Sequence, residues 1–284
     1  MNESIIRDLI KYMDVEDNAA IQYIQTEHRM KLGLFWGIKE GSRVLEIGCG
    51  QGDTTAVLAH LVGEHGYVHG VDIAPEDYGS PLTVGEAAAK LRSSPLGDRI
   101  RMDYDFDILS DQAQFAENEY DVIVLSHCSW YLKSFDELAR ILSKVRIWGH
   151  QLCFAEWDAR VTDVSQLSHW LSVLIQSQVE CYKENSFSNV RTLFTPEDIQ
   201  ELVTSAGWTI KEEASIHSPE LQDGRWETEM TLAEAPVELK LLPIPDKVKT
   251  LLLSELKLLR THRASGPGSP LGTYAIVAKK TVRN

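Results

Sequence analysis

The sequence predicts an α/β domain wound on both faces of a parallel sheet, and three observations carry that expectation. Short apolar runs alternate with helical stretches from residue 43 to about 160. The runs are nearly continuous in apolar residues, so they read as strands covered on both faces rather than strands with one wet side. The first run, Arg43-Val44-Leu45-Glu46-Ile47, enters three glycines at alternate positions, Gly48, Gly50 and Gly52. The second run then ends in a carboxylate, Asp72, about 20 residues further on.

Residues 3–36 read as helices. Ile5, Ile6, Leu9, Ile10 and Met13 share one helical face, and a second helical stretch over about 18–36 leads into the strand at 43–47. A helix at about 53–63 follows, then a strand at 67–72, a helix at about 82–92 and a strand at 99–104. Residues 120–125 make a buried strand, 135–145 the next helix and 151–156 a fifth strand. Right-handed crossovers bring the C-termini of these strands to one edge, where ligands bind.

After Glu156 the rhythm breaks. Residues 159–184 read as one long helix carrying Leu167, Trp170, Leu171, Leu174 and Ile175, and 187–191 as a loop. Thr195-Pro196-Glu197-Asp198 is a helix start, with Thr as cap and Pro at the first helical position, and Gly207 closes that helix. Residues 208–210 and 273–278 read as the last two strands. Between them, 219–271 is an insertion with a helix at about 245–262 and a Gly/Pro/Ser-rich loop at 264–272. The expected organisation is a helical cap over 1–40, a core over 41–160 and the remainder of the same domain over 161–284.

Bulk properties narrow the ligand. The chain has 284 residues, with 28 Lys and Arg against 42 Asp and Glu, a formal net charge of −14. Such acidity disfavours nucleic acid and anionic lipid surfaces, which are polyanions, and points to a small-molecule substrate. No stretch approaches the ~20 apolar residues that span a bilayer. The N-terminus lacks the basic-then-apolar layout of a signal peptide. The four cysteines, Cys49, Cys128, Cys153 and Cys181, have no metal-ligand spacing. A reduced, cytoplasmic protein with no metal and no membrane contact is the expectation.

The glycine turn and Asp72 suit a nucleoside. Glycines let backbone approach a ligand at a strand-to-helix turn, and a carboxylate can accept both hydroxyls of a ribose. A dinucleotide fingerprint would need glycine where Asp53 stands, and Glu46 precedes the first glycine by two positions. This E-x-G-x-G-x-G pattern resembles motif I of the class I S-adenosylmethionine-dependent methyltransferases. Over about residues 25–160 the chain is most similar to the subgroup related to quinone-biosynthesis C-methyltransferases. The resemblance implies an antiparallel pair of last strands and hence a mostly parallel seven-stranded sheet, with the N-terminal helices as a lid. It also implies S-adenosyl-L-methionine as cofactor and S-adenosyl-L-homocysteine as product.

Within that resemblance, Glu46 sits near the methionyl ammonium and Asp72 on the ribose, with Cys49, Ile73 and Ser126 completing the cofactor set beside Gly48, Gly50 and Gly52. Read alone, Glu46 is equally an inward carboxylate bonded to backbone amides. Asp103, Asp105 and Asp107 compete for the adenine amino group, and Asp107 with Phe106 against the ring is favoured. The segment Ser126-His127-Cys128-Ser129-Trp130-Tyr131 follows the fourth strand and faces the sulfonium and substrate in the family. It is not the N/D-P-P-Y of enzymes that methylate exocyclic amines or glutamine. His127 is either a packing ring or a general base. Glu156, ending the fifth strand, orients substrate or assists His127, or else caps the following helix. Tyr23 and His28 serve as lid or scaffold. The leading expectation is a methyltransferase acting on O, C, N or S of a small molecule. Its rivals are a cofactor-binding protein of this fold that transfers no methyl group, and a nicotinamide-dependent dehydrogenase, against which Asp53 and Glu46 count. The insertion helix holds enough leucine to cover the active site or to form a homodimer contact.

Overall fold

Strands that are apolar on both faces must be buried on both faces, and helices provide that cover. The computed structural model describes the chain except residues 1–2, 14–17, 185, 187, 265, 267 and 282–284. Met1 and Asn2 of the N-terminus, residues 14–17 of the expected helical region, and Phe187, Ser265 and Pro267 of the expected loops therefore lie outside the described residues. The elements run α1 (Glu3–Ile10), α2 (Ala19–Phe35), β1 (Arg43–Ile47), α3 (Asp53–Leu61), β2 (Tyr67–Val71), α4 (Val84–Arg92), β3 (Ile100–Asp103) and β4 (Tyr120–Ser126). They continue as α5 (Phe135–Trp148), β5 (Gly149–Asp158), α6 (Leu167–Glu180), α7 (Pro196–Ser205), β6 (Trp208–Ile216), α8 (Asp223–Leu241), α9 (Asp246–Ala264) and β7 (Gly272–Lys280).

The sheet has seven strands in the order β3-β2-β1-β4-β5-β7-β6. The first five are parallel, and β7 pairs antiparallel with both β5 and β6. Alternate residues of each central strand feed two separate cores. Leu45, Ile47, Ile123 and Leu125 pack with α5 on one face, while Val44, Val122 and Val124 pack with α3 and Leu32 of α2 on the other. Each such side chain contributes about 1.5–3 kcal/mol by leaving water. The strand order reverses between β1 and β4, which leaves a crevice beyond their C-terminal ends.

Two expectations are corrected. Residues 159–184 are not one helix: a short helical turn, Val164–Gln166, precedes α6. Asp163 accepts from the Ser165 N–H at 2.8 Å, and the Gln166 side chain accepts from the N–H groups of Thr162 and Asp163. This local cap starts the helical segment afresh and leaves 159–163 outside any helix. The insertion also holds two helices rather than one, because α8 forms despite Pro236 in its interior. Proline removes one intrahelical hydrogen bond, but Ala235 and Leu239 are buried in a satellite core with Ile175 and Val179 of α6 and Leu252, Leu256 and Leu259 of α9. Packing overrides local propensity there.

The helix start at Thr195 is a reciprocal cap: Thr195 Oγ1 accepts from the Asp198 N–H at 3.2 Å, and Asp198 Oδ2 accepts from the Thr195 N–H at 2.8 Å. Replacing Thr195 with Ala is expected to destabilise the protein by about 1 kcal/mol with an unchanged denaturant slope. A urea titration of the two proteins measures this, and an unchanged midpoint would remove the cap from the account.

Candidate functional site

The glycine turn leaves β1 with φ values that side chains rarely adopt, +75° at Gly48 and +50° at Gly50. A Cβ at Gly48 would lie 2.7 Å from the Cβ of Cys128, so glycine lets β1 and the β4 loop approach each other. At Gly50 an added Cβ meets nothing within 4 Å, so the space above its Cα is open, while its N–H donates to Asp72 and its carbonyl accepts from Tyr104 Oη. Gly52 ends the turn, and the N-terminus of α3 follows with its partial positive charge. Cys49 points into the core instead, beneath Gly70, and burial pushes its thiol up. It contributes backbone to the turn.

Asp72 fastens the turn to the end of β2. One carboxylate oxygen accepts from the Gly50 N–H at 2.8 Å and the other from the Ala74 N–H at 2.9 Å. A carboxylate has about four lone-pair sites, so both oxygens can still accept ligand hydroxyls. Ile73 beside it is 70% exposed at the rim. Glu46 is 2% exposed and accepts from Thr55 Oγ1 at 2.6 Å. Burial raises its carboxyl to about 8, against the opposing influence of Thr55 and the Arg29 guanidinium. Arg29 and Gln22 of α2 both engage Asp53, the first residue of α3, at 3.3 and 2.9 Å.

The three competing aspartates have different surroundings. Asp103 is engaged by His69 at 2.8 Å and by Arg101. Asp105 has φ +54° and its N–H donates to the Ala74 carbonyl. Asp107 is exposed and caps its own turn through the Leu109 N–H at 2.8 Å. The Phe106 N–H donates to the Asp72 carbonyl, and its half-buried ring stacks on Phe115 with centroids 6.0 Å apart.

Across the crevice, His127 follows β4 with φ +50°, held there by its N–H donating to the Ala155 carbonyl at 2.8 Å. Non-glycine residues in this region store strain, which concentrates at functional sites. Its Nδ1 faces Glu156 Oε1 at 3.5 Å, an ion-pair distance rather than a hydrogen bond. Its Nε2 lies 3.3 Å from His28 Nε2. The Trp157 ring lies 4.6 Å from the His127 ring and 5.2 Å from that of His169. Glu156 caps no following helix. Its Oε2 accepts from Ser129 N–H, Ser129 Oγ and Trp130 N–H, capping the short turn Ser129–Tyr131. Burial opposes the charge on Glu156, but the neighbouring His127 and these donors hold its carboxyl below the usual range. Burial pushes His28 down to about 2 and His169 to about 3, so both rings are neutral. Ser126 Oγ, at the end of β4, is buried without a hydrogen-bond partner.

The fold thus gathers Gly48, Gly50, Asp72, Ser126, His127 and Glu156 at the strand ends. Of the two lid candidates, His28 enters this site, whereas Tyr23 stacks under Arg7 of α1. Sequence reasoning missed His169, Ser218, Thr273 and Asp223, the last bonded to Gln25 of α2 at 2.9 Å. No local motif surrounds any of them. A separate cleft of about 540 Å³ lies between α6 and α8, lined by Gln176, Asn189 and Glu238 among others, and shares no residue with the glycine turn. Among the described residues, no group of three or more His, Cys, Asp or Glu could hold a metal, and no helix is long and apolar enough to cross a membrane.

A family model described as a methyltransferase domain matches residues 21–213. The methyltransferase phomM' of Diaporthe leptostromiformis is 25% identical over 238 residues, covering 69% of this chain and 60% of that protein. The ubiquinone/menaquinone biosynthesis C-methyltransferase UbiE of Vibrio vulnificus is 31% identical over 127 residues, 45% of each chain. The chain therefore spans less than two thirds of these curated relatives' lengths. Among solved structures, a cyclopropane-fatty-acyl-phospholipid synthase-like protein from Lactobacillus casei is 31% identical with a TM-score of 0.87, covering 98% of this chain and 100% of that one. A phosphoethanolamine N-methyltransferase from Haemonchus contortus, solved with S-adenosyl-L-methionine, shares the fold at 16% identity and TM-score 0.53, covering 90% of this chain and 53% of that one.

Asp72→Ala removes a charged acceptor and is expected to weaken S-adenosylmethionine binding about 100-fold in a calorimetric titration. Wild-type affinity in that variant would displace Asp72 from the site. Glu46 carries a pH signature. Its carboxyl rises from 4.5 to about 8 on folding, so the folded chain holds a proton that the unfolded chain releases between those values. Stability from this group is present below pH 4.5 and is lost as pH rises toward about 8. Urea stability of the wild type, measured relative to Glu46→Gln, is expected to fall across that window, and a flat difference would contradict it.

Proposed function

The chain belongs to the methyltransferase-domain family, within the class I S-adenosylmethionine-dependent methyltransferases, and on that premise we propose that it methylates a small molecule. The observation that carries the reading is the Asp72 clamp on Gly50 beneath open space, directly across the crevice from His127 and Glu156. The donor set fits the cofactor. Asp72 would take the ribose hydroxyls, the peptides of the Gly48–Gly52 turn the aminoacyl segment, and Glu46 its ammonium. Ile73, Phe106 and Asp107 would border the adenine. Ser126 Oγ, buried without a partner, has a hydrogen bond left to give.

The bound cofactor supplies an electrophilic methyl carbon whose leaving group departs as a neutral thioether. The protein's work is alignment, exclusion of water and removal of the acceptor's proton. His127 is the base we assign, taking that proton on Nε2, while the ionised Glu156 beside Nδ1 favours the imidazolium that forms. Trp157 and the buried His28 cover part of the ring, and the side chain stays 21% exposed on the side open to an acceptor. The acidity of the chain supports an uncharged or cationic acceptor over a polyanion. The naming of the UbiE relatives as C-methyltransferases supports carbon as the acceptor atom, the atom whose proton most needs a base.

Parallel calorimetric titrations with S-adenosylmethionine, S-adenosylhomocysteine and NAD test the cofactor. Binding of the first two with NAD silent is expected, and binding of NAD alone overturns the reading. With an acceptor in hand, His127→Ala is expected to lower kcat by about 10²- to 10⁴-fold while S-adenosylhomocysteine affinity is unchanged. Parallel loss of both would make His127 a binding residue.

A further inference from the structure

His28 belongs to α2, outside the elements that carry the glycine turn, yet its ring ends against the ring proposed as the base. Its Nδ1 lies 3.0 Å from Ser218 Oγ, and Lys31 Nζ donates to the same oxygen at 3.5 Å. Its Nε2 lies 3.3 Å from His127 Nε2 and 3.3 Å from Thr273 Oγ1. The row therefore runs Lys31, Ser218, His28, His127, Glu156. Its two ends are chemically opposite: an ammonium only donates and an ionised carboxylate only accepts.

Those ends set the direction of the hydrogen bonds from Lys31 to His127 and of the ion-pair contact between His127 and Glu156. Ser218 Oγ accepts from Lys31 and turns its own proton to His28 Nδ1. His28 then carries its proton on Nε2 and donates it toward His127 Nε2, with Thr273 Oγ1 as a second acceptor. His127 in turn carries its proton on Nδ1, facing Glu156. The reverse order would aim a lone pair of a neutral His127 at the Glu156 carboxylate. We propose that His28 is a positioning residue that holds His127 as the Nδ1–H tautomer with Nε2 unprotonated; when the acceptor arrives, the hydrogen bond from the His28 N–H passes to Thr273 Oγ1, 3.3 Å away, and the His127 Nε2 lone pair is freed. This rests on the reading of His127 as the base. His28 suits the task because it is 3% exposed and stays neutral, so it does not compete for protons. Trp157 packs alongside both rings, nearly parallel to His28 at 6° and 6.4 Å, and limits their rotation.

The test is nitrogen-15 NMR of the histidine rings in the full chain without acceptor, for wild type, His28→Leu, His28→Gln and Ser218→Ala. The wild type is expected to show His127 protonated on Nδ1. His28→Leu and Ser218→Ala are expected to shift it toward the Nε2–H form. His28→Gln, whose amide nitrogen donates at similar reach, is expected to restore Nδ1–H. Retained S-adenosylhomocysteine binding establishes that each variant is folded, and Ser218→Ala carries the test where a change at His28 disturbs folding. In turnover, His28→Leu is expected to lose up to about 100-fold in kcat with little change in KM for the cofactor, and Gln to recover part of it. An Nε2–H tautomer in the wild type, or a tautomer unmoved by both His28→Leu and Ser218→Ala, overturns the proposal. The expected tautomers in a protein that transfers no methyl group would uphold the role of His28 and count against the reading of the function alone.

Discussion

Between β1 and β4 the order of the sheet reverses, so the connections leaving these two strands depart to opposite faces and a crevice opens beyond their C-terminal ends. The residues that follow the two strands face each other across it. One side carries the glycine turn, where peptide groups stand in place of side chains. The other carries His127, held at positive φ. Gly48 is the point at which the two sides touch, because a Cβ there would collide with Cys128. Moving either loop means moving a central strand with side chains packed on both faces, so the crevice inherits the rigidity of the sheet.

Titratable groups are buried here to an extent that stability alone does not favour. Glu46, Glu156, His28 and His169 are all withdrawn from water near the strand ends. The two carboxylates resolve this differently. Among the described residues Glu46 has a single side-chain donor, Thr55, and burial prevails, so its carboxyl rises. Glu156 collects donors from Ser129, Trp130 and Trp157 beside His127, and its charge is kept. A pair of acids driven in opposite directions by their surroundings is a recognised way for one site to hold groups in different protonation states at one pH.

Helix α2 and the insertion close the site from outside the sheet. Through Gln22 and Arg29, α2 reaches the start of α3; through Gln25 it reaches α8; through His28 it reaches the β4 loop and Ser218. The insertion is anchored by its own small core on α6 rather than by the sheet. Parts held by separate cores can vary without disturbing the cofactor side, which is where substrate choice is free to change.

The parallel core was legible because its signals are local. Period and apolar continuity mark strands, three alternate glycines mark a turn that side chains would block, and Thr195-Pro196 marks a helix start, all within a few residues. The cofactor-side candidates Gly48, Gly50 and Asp72 were legible for the same reason, since a turn and a strand end confine them. The insertion's first helix was not, because Pro236 argues against it locally and only burial of Ala235 and Leu239 outweighs that. Nor were the partners of His28, for Ser218 and Thr273 lie 190 and 245 residues away in sequence. The sequence by itself determined the sheet, the turn and the carboxylate that fastens it, because backbone sterics and hydrophobic period act over short spans. Only the tertiary structure decided which buried rings meet and which way their protons point, because those depend on groups that become neighbours once distant segments pack.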